Sequence, residues 1–208
     1  MRRLFIAINI PEDIRKKISK KKEALESLIP GASFVSSGGT HITPDENWHL
    51  TLVFLGYQED EAILPIIKSM EDVADSFDSP EITLEDISYA PPKGTPRMIW
   101  LNGASETSKS LGSLKIALED ELIKNKVRFK LENREFNSHI TLARFTPAPE
   151  NQVSGFTEIP KKELPEIGRE FKNLDWFFMA GGIDLMESHL SKNGARYELL
   201  QHIDFGGN

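Results

Sequence analysis

The chain has 208 residues, a net charge of −7, 39% hydrophobic and 27% charged residues, and no cysteine. This composition is typical of one globular domain with a sizeable core, and it excludes disulfides, thiol nucleophiles and cysteine-ligated metal sites. No apolar run approaches the roughly 20 residues of a membrane-spanning helix. The negative net charge disfavours binding along a nucleic-acid backbone, but it does not exclude recognition of a single phosphate or a strand end.

Residues 4–10 near the amino terminus are β-branched and aromatic, which predicts a buried first strand. The alternative is a secretory signal, because Arg2 and Arg3 precede the apolar run. Asn9 interrupts that run, however, and charged residues follow Pro11 where a signal would need a small-residue cleavage site. We therefore expect a cytoplasmic protein.

The first half of the chain alternates helices and strands. The predicted elements are a helix from Pro11 to about residue 28, a loop at 36–39, a strand at 47–56, a helix at 59–77, and strands at 81–89 and 97–102. Proline suits the first turn of a helix, where its missing N–H would be unpaired anyway. One face of the first helix carries Ile14, Ile18, Leu25 and Leu28.

The second half repeats this order. A helix is predicted at about 106–125, a strand from His139, a proline-rich loop leading to a short helix at 146–167, and a hairpin of 174–186 with 195–205. A strand, a helix and a His-x-Thr-Leu strand thus occur twice at similar spacing, which indicates a duplication. Two such units would pack about a pseudo-twofold axis within one domain, 1–208. Short connections favour mixed or antiparallel sheets over a doubly wound one.

The repeated motif holds the residues most typical of an active site. His49-Leu50-Thr51-Leu52 and His139-Ile140-Thr141-Leu142 lie 90 positions apart, and chance would give this pattern far less than once in the chain. In a strand, residues i and i+2 share a face, so each histidine projects with its threonine while the apolar residues face the core. A single copy would be read as a histidine at the edge of an apolar strand. Two copies predict that both imidazoles converge on one cleft.

Paired histidines suit proton transfer, since with an ordinary pKa near 6.5 one ring can be neutral and the other protonated at neutral pH. The neutral ring would take a proton from water while the cationic ring protonates a departing oxygen, as in-line attack at phosphorus requires. The threonine hydroxyls and Arg144 would bind phosphate oxygens. Two histidines without a third ligand argue against a catalytic metal, so neither metal nor cofactor is expected.

At these residues the sequence resembles the two-histidine phosphoesterase superfamily, specifically its RNA 2′,3′-cyclic phosphodiesterase branch of the LigT or ThpR type. The resemblance covers nearly the whole chain. It rests on Arg3–Ala7 with Pro11, Asn47–Gly56, Pro96–Leu101, His139–Arg144, and Ser188 with Gly194 and Tyr197. It implies an α+β fold of two pseudo-symmetric lobes, with antiparallel sheets flanking a central cleft and helices on the outside.

The resemblance also implies a reaction. Such proteins open terminal 2′,3′-cyclic phosphates to 2′-phosphates without metal, and some join RNA ends in reverse. Carried over by position, His49 and His139 are the catalytic pair, as general acid and general base respectively, while Thr51, Thr141 and Arg144 bind the substrate. RNA ends or cyclic nucleotides are the expected partners of a monomer that does not bind membranes. Rival hypotheses are a non-catalytic nucleotide- or RNA-end-binding module of the same fold and a histidine metal protein.

Two features depart from the family pattern, and the roles of several further residues depend on where the fold places them. Ser138 stands where members often have proline, and residues 36–43 form a longer approach to the first motif. His41 repeats the His-x-Thr spacing, but Pro44 favours a surface loop. The following residues are equally compatible with RNA contacts and with structural roles, namely the basic run Lys124, Lys126, Arg128, Lys130 and Arg134, with Arg97. Core packing is the default expectation for the aromatic residues Trp48, Phe54, Trp100 and Phe145. His189 and His202 are expected to be structural or solvated.

Overall fold

The computed structural model describes residues 1–28, 40–145, 164–191 and 194–206, apart from the side chains of Lys22, Thr40, His41 and Phe145. Its strands are β1 (Arg2–Asn9), β2 (Thr40–Ile42), β3 (His49–Gln58), β4 (Glu81–Ala90), β5 (Met98–Gly103), β6 (His139–Phe145), β7 (Trp176–Met179), β8 (Gly182–Ser191) and β9 (Gly194–Asp204). Its α-helices are α1 (Glu12–Ser19), α2 (Lys22–Ser27), α3 (Ile63–Ala74) and α4 (Ser105–Lys124).

The strands form one antiparallel sheet with two halves. Their order is β7-β4-β5-β6-β3-β1-β8-β9, and β2 pairs with β6. The halves meet where β3 and β6 pair at a single position, Leu50 opposite Ile140. The predicted α+β fold with two lobes of antiparallel strands is confirmed, and this one pair makes the two lobes' sheets continuous.

The two halves repeat the same strand register. β1 runs into α1 and then to β3, while β5 runs into α4 and then to β6. Asn9 of β1 lies opposite His49, and Asn102 of β5 lies opposite His139. Ala7 and Trp100 likewise occupy equivalent positions, opposite the two motif threonines. The structure therefore contains the duplicated unit that the sequence spacing predicts.

The helices cover the face of the sheet opposite the motif histidines. Pro11 precedes α1, and the leucines of α4 at positions 111, 114, 118 and 122 are all buried against the sheet and α3. The helix predicted for residues 11–28 divides at Lys20 and Lys21 into α1 and α2. All four of its apolar residues (Ile14, Ile18, Leu25 and Leu28) are nevertheless buried, because the break preserves the apolar face. The helix expected at 59–77 begins as a 3-10 turn, Asp60–Ala62, before α3.

Two predicted elements differ from the structure. Segment 174–186 is not one strand of a hairpin, because Ala180 and Gly181 separate β7, which pairs with β4, from β8, which pairs with β9. The prediction of a loop around His41 is wrong, because Thr40–Ile42 form β2. Pro44 lies beyond this strand, where it removes no hydrogen bond of the sheet. The predicted loop at 36–39 and most of the segment 146–167 lie outside the described residues. Within the described residues, no helix is long and apolar enough to cross a membrane.

Candidate active site

A cavity of about 680 Å³ between the two halves of the sheet is lined by His49, Thr51, His139 and Thr141. Arg144 lines the same cavity. Strand alternation explains this placement, because Leu50 and Ile140, between the motif residues, point to the opposite face and are fully buried. The structure therefore brings all of the site residues predicted from the sequence to one cavity.

His49 is held in a defined orientation and tautomer. Its Nδ1 lies 2.7 Å from the backbone carbonyl oxygen of Asn47, which can only accept, so Nδ1 carries the hydrogen. Its Nε2 lies 3.0 Å from Thr51 Oγ1 and, in the neutral ring, accepts from that hydroxyl. The rings of Phe5 and Tyr197 contact the imidazole at centroid distances of 4.9 and 5.1 Å. Rotation of the ring would break both hydrogen bonds.

His139 is oriented in the same way but has different neighbours. Its Nδ1 donates to the carbonyl oxygen of Asn137 at 2.8 Å. The indole of Trp100 stacks on the imidazole, with 3.7 Å between ring centroids and 21° between their planes. Among the described residues, no protein group hydrogen-bonds its Nε2, which leaves this atom for a ligand. Both rings thus direct an Nε2 away from the anchoring carbonyl.

The asparagines extend the motif beyond what the sequence analysis used. Asn47 and Asn137 each lie two residues before a motif histidine, so the repeated pattern is Asn-x-His-x-Thr. Asn47 also donates from Nδ2 to the carbonyl oxygen of Ala195 at 2.7 Å, which ties the start of β3 to the β8–β9 hairpin. The repetition of asparagine at both sites is a sequence signal that could have identified them.

Burial lowers the pKa of both histidines. The pKa of His49 is lowered to about 4, mainly by the loss of solvation and in smaller part by the charges of Arg144, His139 and Arg15, while the hydrogen bond to Asn47 opposes the shift. For His139 the pKa is also lowered, first by burial and then by Arg134 and Arg144. In the protein by itself both rings are therefore neutral at pH 7, unlike the mixed state expected from ordinary pKa values. A bound phosphate anion would raise both pKa values.

The cavity provides positive charge for such an anion. Lys115 pairs with Glu119 at 2.5 Å and Arg134 with Glu132 at 2.8 Å, so these two cations are compensated. Three further cations line the cavity with no carboxylate in ion-pair distance among the described residues, namely Arg3, Lys130 and Arg144. Over the same residues, no cluster of three potential ligands that could hold a metal ion is found. The site is suited to phosphate.

The sequence of this chain is similar to those of known proteins. Residues 8–100 match the family model described as LigT like phosphoesterase. The RNA 2′,3′-cyclic phosphodiesterase of Thermotoga maritima is 28% identical over 205 residues, 99% of this chain and 96% of that protein. The protein of the same name from Methanocaldococcus jannaschii is 29% identical over 204 residues, 96% of this chain and 98% of that protein.

Solved structures of similar proteins share the fold of this chain. The crystal structure of TT0787 of Thermus thermophilus has a TM-score of 0.70 and 26% identity, covering 99% of this chain and 98% of that one. This chain is similar to the LigT-like phosphoesterases over residues 8–100, and to these relatives over nearly its whole length. E. coli LigT complexed with 3′-AMP, with a TM-score of 0.65 and 23% identity over 98% of both chains, shares the fold. The family resemblance predicted from the paired motifs is confirmed.

Ser138 makes a backbone N–H and a side-chain hydrogen bond that a proline could not make. Its backbone N–H donates to Ser108 Oγ at 3.1 Å, and its own hydroxyl lies 2.9 Å from that atom. Its carbonyl accepts from the N–H of Gly103 at 2.9 Å. The residue is buried, so these bonds connect α4 to the start of β6 directly beside His139. The serine at this position is thus accommodated by a serine on the adjacent helix.

The other residues singled out from the sequence divide between the cavity and the surroundings. Those lining the cavity include Phe54, Trp100, Lys130 and Arg134. Trp48 is buried in the core, and Arg97 is exposed outside the cavity lining. His202 bonds to Asp184 and Asp204, and His189 lies beside Glu198, so both have structural partners. The side chains of His41 and Phe145 are outside the described set.

Proposed function

We propose that the protein hydrolyses the terminal 2′,3′-cyclic phosphate of RNA to a 2′-phosphate without a metal ion. The observation that carries the proposal is the pair of carbonyl-anchored imidazoles lining one cavity with Arg144. The full-length similarity to proteins named RNA 2′,3′-cyclic phosphodiesterase supports the substrate.

The reaction needs only the groups of this cavity. A water molecule attacks phosphorus in line with the bond to the 3′ oxygen, and one neutral Nε2 takes its proton. The bond from phosphorus to the 3′ oxygen breaks, and the second, protonated Nε2 donates its proton to that oxygen. Thr51, Thr141 and Arg144 stabilise the charge on the nonbridging oxygens. The product carries the phosphate on the 2′ oxygen and a free 3′ hydroxyl.

We assign His49 as the acid and His139 as the base. Because the pKa of His49 is about 4 in the protein by itself, the acid role requires that the bound phosphate raises this pKa and that the ring takes up a proton on binding. A substrate with a sulfur atom in place of the 3′ oxygen separates the roles, since a thiolate leaves without protonation. Its hydrolysis should be much less sensitive to His49→Ala than to His139→Ala, and the reverse pattern would exchange the two assignments.

The proposal is tested with a short oligonucleotide ending in a 2′,3′-cyclic phosphate, incubated with the protein in EDTA. We expect a 2′-phosphate product and a loss of turnover of roughly 10²–10⁴ in His49→Ala or His139→Ala, the range for a lost general acid or base. His189→Ala, which removes an exposed histidine outside the cavity lining, is the matched control. Turnover that appears only with a divalent metal, or that survives both cavity substitutions, would refute the mechanism.

A ligase reaction and a non-catalytic binding role are tested by two further experiments. If the 5′-hydroxyl of a second RNA attacks phosphorus instead of water, the same groups join two RNA ends, so we include this ligase reaction in the proposal. Incubation of a cyclic-phosphate donor with a 5′-hydroxyl acceptor should give a longer product that depends on both histidines. Tight binding of a nucleoside 2′-phosphate without turnover of any cyclic phosphate would instead identify a non-catalytic RNA-end-binding module.

A further inference from the structure

We propose that Arg3 and Phe54 form a second subsite in the cavity, which binds the phosphodiester and base of the nucleotide preceding the RNA end. The inference rests on the proposed function and specifies its substrate: an oligonucleotide rather than a free cyclic mononucleotide. Both side chains line the same cavity as the two histidines. Neither is needed for the proton transfers described above.

The position of Arg3 follows from β1. Leu4, Ile6 and Ile8 face the hydrophobic core, while Phe5 and Ala7 belong to a separate cluster on the other face. Phe5 contacts the His49 ring, and Arg3 lies two residues further along the same face, about 7 Å away along the strand. Arg3 is therefore displaced from the reacting phosphate along one wall of the cavity, where the adjoining part of a polynucleotide would pass.

The charge of Arg3 is available to a ligand. Its Nη1 donates to the hydroxyl of Ser188 at 2.9 Å, and within the described residues no carboxylate lies in ion-pair distance. The adjacent Arg2 is paired with Asp60 and Glu187, at 3.2 and 3.3 Å. In a chain with a net charge of −7, a partly buried guanidinium held only by a neutral hydroxyl is an anion site, because planar guanidinium groups bind phosphate oxygens in bidentate geometry.

Phe54 adds a surface for a base. Its side chain is 50% exposed although it is a large hydrophobic residue, and its ring centroid lies 6.2 Å from that of Phe5. Core packing, the default role for this residue, does not account for that exposure. Exposed aromatic rings beside cations bind single-stranded nucleic acid by stacking, without selecting a particular base. Phe54 and Arg3, which line the same cavity, together supply this combination.

The test compares kcat/KM for a 2′,3′-cyclic mononucleotide with that for a trinucleotide ending in the same cyclic phosphate. We expect Arg3→Gln to reduce kcat/KM for the trinucleotide about tenfold, as for one lost charge-assisted contact, and to change that for the mononucleotide less than about twofold. Phe54→Ala should give the same pattern, and Arg3→Lys should retain part of the trinucleotide activity. Arg2→Gln, which removes the paired neighbour, should leave both values unchanged.

Equal losses on the two substrates, or no loss on the trinucleotide in Arg3→Gln and Phe54→Ala, would overturn the subsite. Either result leaves the proposed function intact provided that the wild-type protein turns over both substrates. Failure of the wild type on both would refute the proposed function itself. Phe54→Ala changes a half-exposed side chain and leaves the hydrogen bond from Arg3 to Ser188 in place, so the question can be answered even if Arg3→Gln does not fold.

Discussion

The neutral state of His49 predicts how the protein responds to acid. Its pKa is about 4 in the folded protein against an ordinary value of 6.5, so between these values the unfolded chain binds more protons than the folded one. The stability associated with this residue is fully present above pH 6.5 and is lost as the pH falls towards 4. Replacing His49 with glutamine, which does not titrate, removes this component.

The size of the effect follows from the two pKa values. The shift from 6.5 to about 4 corresponds at pH 4 to about 3 kcal/mol of unfolding free energy. Because the ring is partly open to the cavity, solvent reduces this value, and we expect about 2 kcal/mol. The free energy of unfolding of the wild type, minus that of His49→Gln, should therefore decrease by this amount between pH 7 and pH 4.

Urea unfolding of both proteins at several pH values measures this difference, in buffers without phosphate because a bound anion would raise the pKa. His202→Gln is a control of opposite sign. The hydrogen bond to Asp184 raises the pKa of His202, so its stabilising contribution is present at acidic pH and is lost as the pH rises through the raised value. A difference between wild type and His49→Gln that does not change with pH would refute the assignment of a buried neutral ring.

Three further predictions follow from the site. Because the lowered pKa values of His49 and His139 belong to the free protein, kcat/KM should already be falling as the pH rises towards the ordinary histidine value of about 6.5. The kcat, measured with the anion bound, should peak at higher pH, and coincident profiles would contradict this. Trp100→Ala should lower kcat about tenfold with a smaller change in KM, by releasing the His139 ring, and Trp100→Phe should restore most of it. Ser138→Pro should lower the free energy of unfolding, measured in urea, by about 1–3 kcal/mol, because proline removes the N–H that is bonded to Ser108. Ser138→Ala keeps this N–H and should lower the free energy by less, so equal losses would exclude this cause.

The sequence predicted the elements whose hydrophobic pattern is strong and local. The leucines of α4 and the alternating strands β3 and β6 are where the periodicity placed them, because one face of each is buried. The errors occurred where a tertiary partner decides the structure. β2 exists because β6 offers an edge for pairing, and residues 174–186 divide because β7 has β4 as its neighbour and β8 has β1.

The site was predictable only where a residue type repeats. His49 and His139 were found because the same motif occurs twice, and the asparagines before them carry the same signal. Arg3 and Tyr197 show no such pattern, since their place in the cavity depends on the order of the strands in the sheet. The lowered pKa values could not be read from the sequence either, because they result from burial that only the assembled sheet produces.

The two histidines differ both within the motifs and in their neighbours. The anchoring carbonyls are equivalent in the two halves, but Thr51 hydrogen-bonds Nε2 of His49, whereas no group among the described residues bonds Nε2 of His139. Trp100 stacks on His139, whereas the equivalent position in the first half is Ala7, which is too small to reach the ring. The His49 ring is instead contacted edge-on by Tyr197, which comes from β9. The acid and base roles proposed for these rings require unlike environments, and the residues opposite the motif threonines add such asymmetry to the duplicated site.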